Sequence, residues 1–362
     1  MNVDKFFINV SVLMIVFQGL IQSVATDLLF GQHQTESLLD DQIQRYHIPC
    51  KECSSPLEIS GLTRYKNYLF ILPQTQNYLY IYDLKKQQEG NQIEPKKIPF
   101  EYDKRPMGSE GWEAITYREI EEDSLEMYFG MEKCNGDNYC LLKAPIKIDA
   151  KADSHVHVEI GTLTPFGNLL KGSNNLSYEA IMWVEQPDVR GVLIIPEKLS
   201  DPNLNTSLIT ETGRQIPIQA DSSLFKLRIS DMAAHPYQPG TYLATSFCWK
   251  GVTRSFLHSN KWCYGANDEW KSRLALVALQ LGKDKNGQLK LDVIHKAEFN
   301  QKFIQVDGPN PKKNHEYNAE GLAVSEQGEL IMVNDNSPDG AFTELRILPR
   351  NFLYRTMIDI RN

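Results

Sequence analysis

Residues 59–82, with the sequence ISGLTRYKNYLFILPQTQNYLYIY, decide the fold. They contain three short apolar runs, at residues 59–63, 68–72 and 78–82, which are separated by polar, turn-forming segments. The runs are rich in the β-branched and aromatic side chains that strands favour. A fourth run at residues 96–100 completes the unit. Four consecutive antiparallel strands are typical of one blade of a β-propeller.

The pattern that opens this unit recurs along the chain as a small or acidic residue followed by a short apolar strand. Aligning the five copies superposes Ser60, Glu113, Glu179, Ser230 and Glu320. Their spacings of 53, 66, 51 and 90 residues suit blades of one architecture with variable loops. The sequence therefore predicts an all-β fold, a five-bladed β-propeller of four-stranded antiparallel blades. The longest span has room for a sixth blade, and the last unit is expected to end in a strand near residues 354–360.

Residues 1–25 have the features of a secretory signal peptide. Lys5 precedes a mostly apolar run over residues 6–21, and Ser23 and Ala25 put small residues before the cleavage point. An uncleaved membrane anchor is the alternative. We therefore expect a secreted protein, extracellular or periplasmic, with no membrane span after signal cleavage.

The rest of the chain is predicted to form one domain. Residues 26–56 are expected to close onto the propeller that residues 57–362 form, and the protein is expected to be a monomer. The net charge of −8 argues against nucleic acid as a partner, because nonspecific binding to it needs a basic surface.

Six cysteines fall into three close pairs, and an even number in an exported chain favours disulfides. Proximity along the chain predicts the bonds Cys50–Cys53, Cys134–Cys140 and Cys248–Cys263. The first pair forms a C-x-x-C motif, for which a redox role or half of a zinc site is the alternative.

The aligned positions predict a site at one end of the central channel. In a propeller the first strand of every blade lines the channel, so Ser60, Glu113, Glu179, Ser230 and Glu320 should converge there. Converging carboxylates repel one another unless a cation lies between them. Calcium prefers oxygen ligands, so we expect these residues to bind Ca2+ as a cofactor. For any one glutamate, a structural bond to the backbone amides of the next blade is the alternative.

A second set of side chains is expected at the same mouth, because the second strand of each blade returns to it. From this set we predict Lys133, Lys198, Asn334 and Asn336 as substrate-binding residues and Asp335 as the candidate catalytic residue. The lysines would neutralise phosphate charge. The alternatives are solvated loop charges for the lysines and a turn-forming role for Asp335.

Residues 320–324, EGLAV, and 328–336, GELIMVNDN, resemble the SdiA-regulated family and related phytase-like propellers. The order of the aligned residues is similar to that of soluble calcium-activated nucleotidases. The resemblance implies a five-bladed propeller that holds calcium through these residues and hydrolyses nucleoside diphosphates. Asp231 and Met232 stand where the pattern has Gly and Leu.

Two classes of function follow from these features. The first is a metal-dependent hydrolase of phosphate esters or nucleotides, in which the ion polarises a phosphoryl oxygen. A related enzyme hypothesis is a lactonase or esterase with His235 or His315 as the base. The second class is a non-catalytic propeller that carries a structural calcium and binds a glycan or a protein. The aromatic residues predicted for that role are Trp249, Trp262, Tyr264 and Trp270.

Overall fold

The computed structural model describes residues 42–48, 58–88, 95–102, 111–135, 138–149, 157–171, 178–196, 205–224, 227–248, 273–306, 315–335 and 343–357. Several predictions from the sequence lie outside these residues: the signal peptide, the Cys50–Cys53 bond, Lys198, Asn336, Cys263 and the four aromatic residues of the proposed binding loop. Among the helices of the described residues, none has the length and apolar character that a bilayer span requires.

The described residues form mainly strands. In chain order these are β1 Gln44–His47, β2 Ile59–Tyr65, β3 Tyr68–Pro73, β4 Tyr78–Asp83, β5 Lys96–Pro99, β6 Trp112–Glu121, β7 Ser124–Asn135, β8 Asn138–Asp149, β9 His157–Ile160, β10 Thr164–Lys171, β11 Ala180–Gln186, β12 Val189–Ile195, β13 Ser207–Thr210, β14 Gln215–Pro217, β15 Gln219–Ala220, β16 Ile229–Ala234, β17 Thr241–Cys248, β18 Arg273–Lys283, β19 Leu289–Glu298, β20 Gln305–Val306, β21 His315–Glu316, β22 Asn318–Val324, β23 Leu330–Asp335 and β24 Glu344–Leu348. The helices are α1 Leu84–Gln88, α2 Gln301–Ile304 and α3 Arg350–Met357.

The strands make five blades around a channel, so the predicted fold class is confirmed. From the channel outward, the blades are β2-β3-β4-β5, β6-β7-β8-β10 with β9 also on β8, β11-β12-β13-β14, β16-β17-β18-β19-β15, and β22-β23-β24-β1. The innermost strands β2, β6, β11, β16 and β22 contact one another in that order, and β22 returns to β2. In the described residues, the span between Ser230 and Glu320 holds the long strands β17, β18 and β19 and the short β20–β21 pair rather than a sixth blade.

The core is divided among the five blade interfaces, because each blade must bury both of its faces. One apolar cluster fills each interface between neighbouring blades, including the interface between the last blade and the first. Within blades the strands pair antiparallel, except that β15 runs parallel to β19. The packed interfaces fix the inner strands, and therefore the residues that begin them.

The N-terminal strand β1 forms the outer edge of the fifth blade by pairing with β24, with Gln44 opposite Ile347. The ring is thus closed by hydrogen bonds between the two ends of the chain. The expected strand near residues 354–360 is wrong for the described part, which lies in helix α3. Because β1 already occupies the fourth strand position, the chain after β24 instead packs Phe352 against Phe299 in the core, with ring centroids 5.5 Å apart.

Candidate functional site at the channel mouth

The five aligned residues occupy equivalent places in the five blades. In four blades the pairing of the first and second strands shifts register at this residue, which is Ser60, Glu113, Ser230 or Glu320. In the third blade, β11 begins directly after Glu179. Bulges of this kind re-aim a side chain and recur beside functional sites. The sequence alignment therefore predicted the structural register correctly, and all five residues begin inner strands at one end of the channel.

The structure brings two of the three glutamates together on an arginine that the sequence analysis did not select. Arg228 Nη2 lies 3.2 Å from Glu179 Oε1 and 3.6 Å from Glu320 Oε1. The two carboxylates come from the third and fifth blades, and Arg228 precedes β16 of the fourth blade between them. The side chains of both glutamates are 11% exposed and that of Arg228 is 23% exposed. The mouth therefore holds a partly buried carboxylate–guanidinium–carboxylate bridge.

A sequence signal for Arg228 exists in the position two residues before each aligned residue. In the fifth blade this position is Asn318, whose Nδ2 donates to Glu320 Oε1 at 2.7 Å. In the second blade it is Gly111, where an added Cβ would lie 2.9 Å from Glu113 Oε1. A residue at this position therefore faces the aligned side chain in the second and fifth blades, whereas Arg228 of the fourth blade reaches the aligned glutamates of the two neighbouring blades.

Glu113 and Ser60 complete the mouth on the side of the first two blades. Gln74 Nε2 donates to Glu113 Oε1 at 3.5 Å, and Gln74 comes from the end of the second strand of the first blade. Ser60 is buried, and its Oγ has no hydrogen-bond partner among the described residues. A buried hydroxyl without a partner costs free energy, so Ser60 is suited to receive a ligand atom.

Ser230 instead joins two blades, because its Oγ donates to Ala319 O at 2.7 Å. The next residue, Asp231, is fully buried and accepts hydrogen bonds from the backbone amides of Met232, Leu322 and Leu62. These amides belong to the inner strands of the fourth, fifth and first blades. Burial raises the pKa of Asp231 well above its usual value, and the three amide bonds oppose that shift.

Asp231 joins the inner strands of three blades from a position where the other blades have small residues. They are Gly61, Ala114, Ala180 and Gly321. A Cβ on Gly61 would lie 3.0 Å from Ile115 Cγ2, and one on Gly321 would lie 2.8 Å from Leu62 Cβ. The inner strands are therefore packed too closely at Gly61 and Gly321 for a larger side chain, and the fourth blade has the only acidic residue among these five positions.

The second predicted set of residues divides between the mouth and the blade interior. Lys133 lies near the end of β7 in a left-handed conformation, with φ 50°, immediately before the predicted disulfide Cys134–Cys140, which is present. Asn334 is fully buried, and its Oδ1 accepts from the Glu344 amide at 2.6 Å, so it stabilises the β23–β24 connection. Asp335 ends β23, and its side chain lies outside the described residues.

Of the two histidines proposed as bases, the structure describes the side chain of His235. His235 follows β16 at the end opposite Ser230, and its Nδ1 accepts from the Tyr237 amide at 3.2 Å. Burial lowers the pKa of His235. A role for His235 as a base at the mouth is therefore wrong. His315 is described only as part of the backbone of β21.

The described side chains do not fit a calcium ion as they are arranged. The guanidinium of Arg228 already lies between Glu179 and Glu320, and the hydroxyl of Ser230 is committed to Ala319 O. Within the described ranges, no three side chains of His, Cys, Asp or Glu come close enough together to hold a metal ion. Calcium binding stays a prediction, and it would require Arg228 to move away from both carboxylates.

No family model and no curated protein matches the chain. Solved structures with a similar fold include one described as a study of the GH130 family of mannoside phosphorylases and its glycoside hydrolases that target β-1,2 mannosidic linkages in Candida mannan. It is 11% identical, covers 82% of this chain and 85% of the other, and has a TM-score of 0.47. The GH43 endo-arabinanase from Bacillus licheniformis is 10% identical over 82% and 94% of the two chains, with a TM-score of 0.38.

An exo-1,5-α-L-arabinanase from a bovine ruminal metagenomic library is 11% identical over 82% and 94% of the chains, with a TM-score of 0.39. Likeness at this level says nothing about the reaction, and the propeller is established by the order of the strands in its sheets. The chain is a five-bladed β-propeller with a carboxylate–guanidinium bridge at the mouth of its channel.

Proposed function

We propose that the protein is a hydrolase that acts on carbohydrates at the channel mouth, with Glu113, Glu179 and Glu320 as its working groups. The observation that carries the proposal is that Glu179 Oε1 and Glu320 Oε1 lie 3.2 and 3.6 Å from one nitrogen of Arg228. Glycoside hydrolases pair one carboxylate that acts as nucleophile or base with a second carboxyl group that donates a proton to the leaving group. Glu179 and Glu320 are carboxylates of the first kind, and Glu113 begins the inner strand of the second blade at the equivalent position.

The residues divide into roles by their contacts. A guanidinium pairs with the ionised form of a carboxylate, so Glu179 and Glu320 suit the roles of nucleophile or base. Glu113 is the remaining glutamate of the aligned set, and it is the residue to test first as the proton donor to the leaving group. Arg228 would hold two of the three carboxylates in place.

The test is a turnover assay on the purified protein with aryl glycosides and with oligosaccharides, in buffers containing either chelator or calcium. We expect turnover that does not depend on calcium. Replacing Glu113, Glu179 or Glu320 with Gln should lower kcat by about 10²–10⁴-fold. Glu185→Gln is the matched control, because Glu185 lies in β11 of the same blade as Glu179 but is 57% exposed and pairs with Arg190. Turnover unchanged in all three mouth variants would refute the assignment.

A second candidate is the calcium-dependent hydrolysis of phosphate esters or nucleotides. The unpartnered hydroxyl of Ser60 at the mouth favours it, because a hydroxyl oxygen is an acceptable calcium ligand. The same assay therefore includes an aryl phosphate and a nucleoside diphosphate. Turnover of either one that stops with chelator and returns with calcium would replace the carbohydrate proposal. Saturable glycan binding without any turnover would instead support the non-catalytic alternative.

A further inference from the structure

We propose that the guanidinium of Arg228 is the resident cation of this mouth, in the place where the sequence pattern predicts calcium. On this proposal the native protein holds Glu179 and Glu320 together without a metal ion, and removing the charge of Arg228 converts the mouth into a divalent-cation site. The proposal is independent of whether the protein hydrolyses carbohydrates, because its test measures ion binding and stability.

The two carboxylates on Arg228 need a compensating charge. Carboxylates that approach one another with little exposure to water are stable only if a positive charge or a proton compensates them. Arg228 supplies that charge from the blade between the two that carry the glutamates, and it contacts one oxygen of each. A calcium ion bridging the same two oxygens would require the same space.

Two further oxygens at the mouth are buried without a hydrogen bond. The Nδ2 of Asn318 donates to Glu320, and the Oδ1 of the same amide group is buried beside it. The Oγ of Ser60 is buried on β2, the inner strand next to β22. Neither oxygen has a hydrogen-bond partner among the described residues. The Glu179 and Glu320 carboxylates and the Asn318 carbonyl oxygen are donors of the kind that calcium takes, and Ser60 begins the next inner strand at the same mouth. On this proposal the cationic side chain of Arg228 keeps these oxygens from accepting a second positive charge.

The experiment compares the wild-type protein with Arg228→Met and Arg228→Lys. Thermal unfolding midpoints are measured with chelator and with millimolar calcium, and calcium uptake is measured by titration calorimetry. We expect no calcium-dependent shift and no stoichiometric uptake for the wild type and for Arg228→Lys, which keeps the charge. For Arg228→Met we expect a lower midpoint in chelator, which calcium raises by about 2–4 °C.

Arg64→Met is the matched control. It removes a side chain that is 10% exposed and pairs with Glu329 at 3.5 Å. Calcium should not restore its stability, because Arg64 and Glu329 lie at the end of the inner strands opposite Glu179 and Glu320, outside the mouth. If Arg228→Met does not fold, Arg228→Gln replaces it, and the wild-type titration still decides the first half of the proposal.

Two outcomes would overturn the inference. One is stoichiometric calcium uptake by the wild type with Arg228 in place, which would mean that the ion and the guanidinium coexist. The other is a folded Arg228→Met or Arg228→Gln variant whose midpoint calcium does not change. A negative result in the turnover assay would affect neither readout.

Discussion

Asp231 allows a direct test of how a buried carboxylate joins the inner strands of three blades. Its carboxylate is fully buried. It accepts hydrogen bonds from the backbone amides of Leu322 at 2.6 Å, Met232 at 2.7 Å and Leu62 at 3.4 Å. Burial raises its pKa, the amide bonds lower it, and the nearby charge of Glu320 raises it again, with burial dominant. The substitution Asp231→Asn preserves the shape of the side chain and removes its titration.

The sign of the expected pH effect follows from proton binding in the two states. A carboxyl group with a higher pKa in the folded protein binds its proton more tightly there than in the unfolded chain. Its contribution to stability is therefore fully present below the unfolded pKa, about 3.9, and is lost as the pH rises toward the folded pKa. In that window each pH unit removes about 1.4 kcal/mol from the free energy of unfolding.

The magnitude for the variant has two parts. The amide nitrogen of Asn replaces one acceptor oxygen, so at least one backbone amide loses its partner, which costs about 1–3 kcal/mol at every pH. The variant lacks the pH-dependent part, because it has no carboxyl group at this position. Between pH 4 and pH 6 the free energy of unfolding of the wild type should therefore approach that of the variant by up to about 2.7 kcal/mol.

The assay is urea unfolding followed by tryptophan fluorescence at pH 4, 5 and 6. Asp188→Asn is the control, because Asp188 is 76% exposed and pairs with Lys283 on the surface. The reasoning fails if the free energies of wild type and Asp231→Asn run parallel over this range. It also fails if the difference widens as the pH rises, because that sign would mean that the three amide bonds outweigh burial.

Three further substitutions test the packing around the site by urea unfolding. Tyr139→Phe removes a fully buried hydroxyl that has no partner among the described residues, so the free energy of unfolding should stay equal or rise by up to about 1 kcal/mol. The control Tyr128→Phe should lower it by about 1 kcal/mol, because the bond to Glu126 is lost. A loss above about 1 kcal/mol for Tyr139→Phe would contradict this expectation. Arg346→Met should cost about 3–5 kcal/mol, because it leaves the buried Glu344 without its cation and frees the carbonyl of Gln305; a cost below 1 kcal/mol would contradict this. Gly321→Ala should cost about 1–3 kcal/mol by pressing on Leu62 and Val333, while Gly282→Ala, which meets nothing, should be neutral; equal effects would refute the packing argument.

The blades could be predicted from the sequence because each one repeats the same short-range pattern of residues. An inner strand needs a short apolar run, and the residue that begins it must turn toward the channel. The alignment of Ser60 with Glu113 and Glu320 therefore located the bulges, although no bulge is visible in the sequence itself. The local disulfide Cys134–Cys140 was predictable for the same reason, since its partners are close along the chain.

Contacts between distant segments were not accessible in this way. The outer strand of the fifth blade is β1, from the opposite end of the chain, so the expected strand over residues 354–360 was assigned by local pattern alone. Ser60 and Ser230 are the same residue at equivalent positions, yet only the hydroxyl of Ser230 meets a carbonyl, that of Ala319. Such differences depend on which atoms of the neighbouring blade contact the hydroxyl, and these contacts between distant segments cannot be inferred from a single sequence.

The distribution of charge around the ring gives the fourth blade a special place in the molecule. The second, third and fifth blades put glutamates at the aligned position, and the first and fourth put serines there. A small residue at Ser230 leaves space for Arg228, two residues earlier, to reach the glutamates of both neighbouring blades. Asp231, the residue after Ser230, binds the inner strands of two other blades. Three nearly consecutive residues of one blade thus break the fivefold pattern twice, once through Arg228 at the mouth and once through Asp231 between the inner strands. A site that depended on the symmetric ring alone would need neither side chain, so the fourth blade is where differences in ion binding or reactivity should arise.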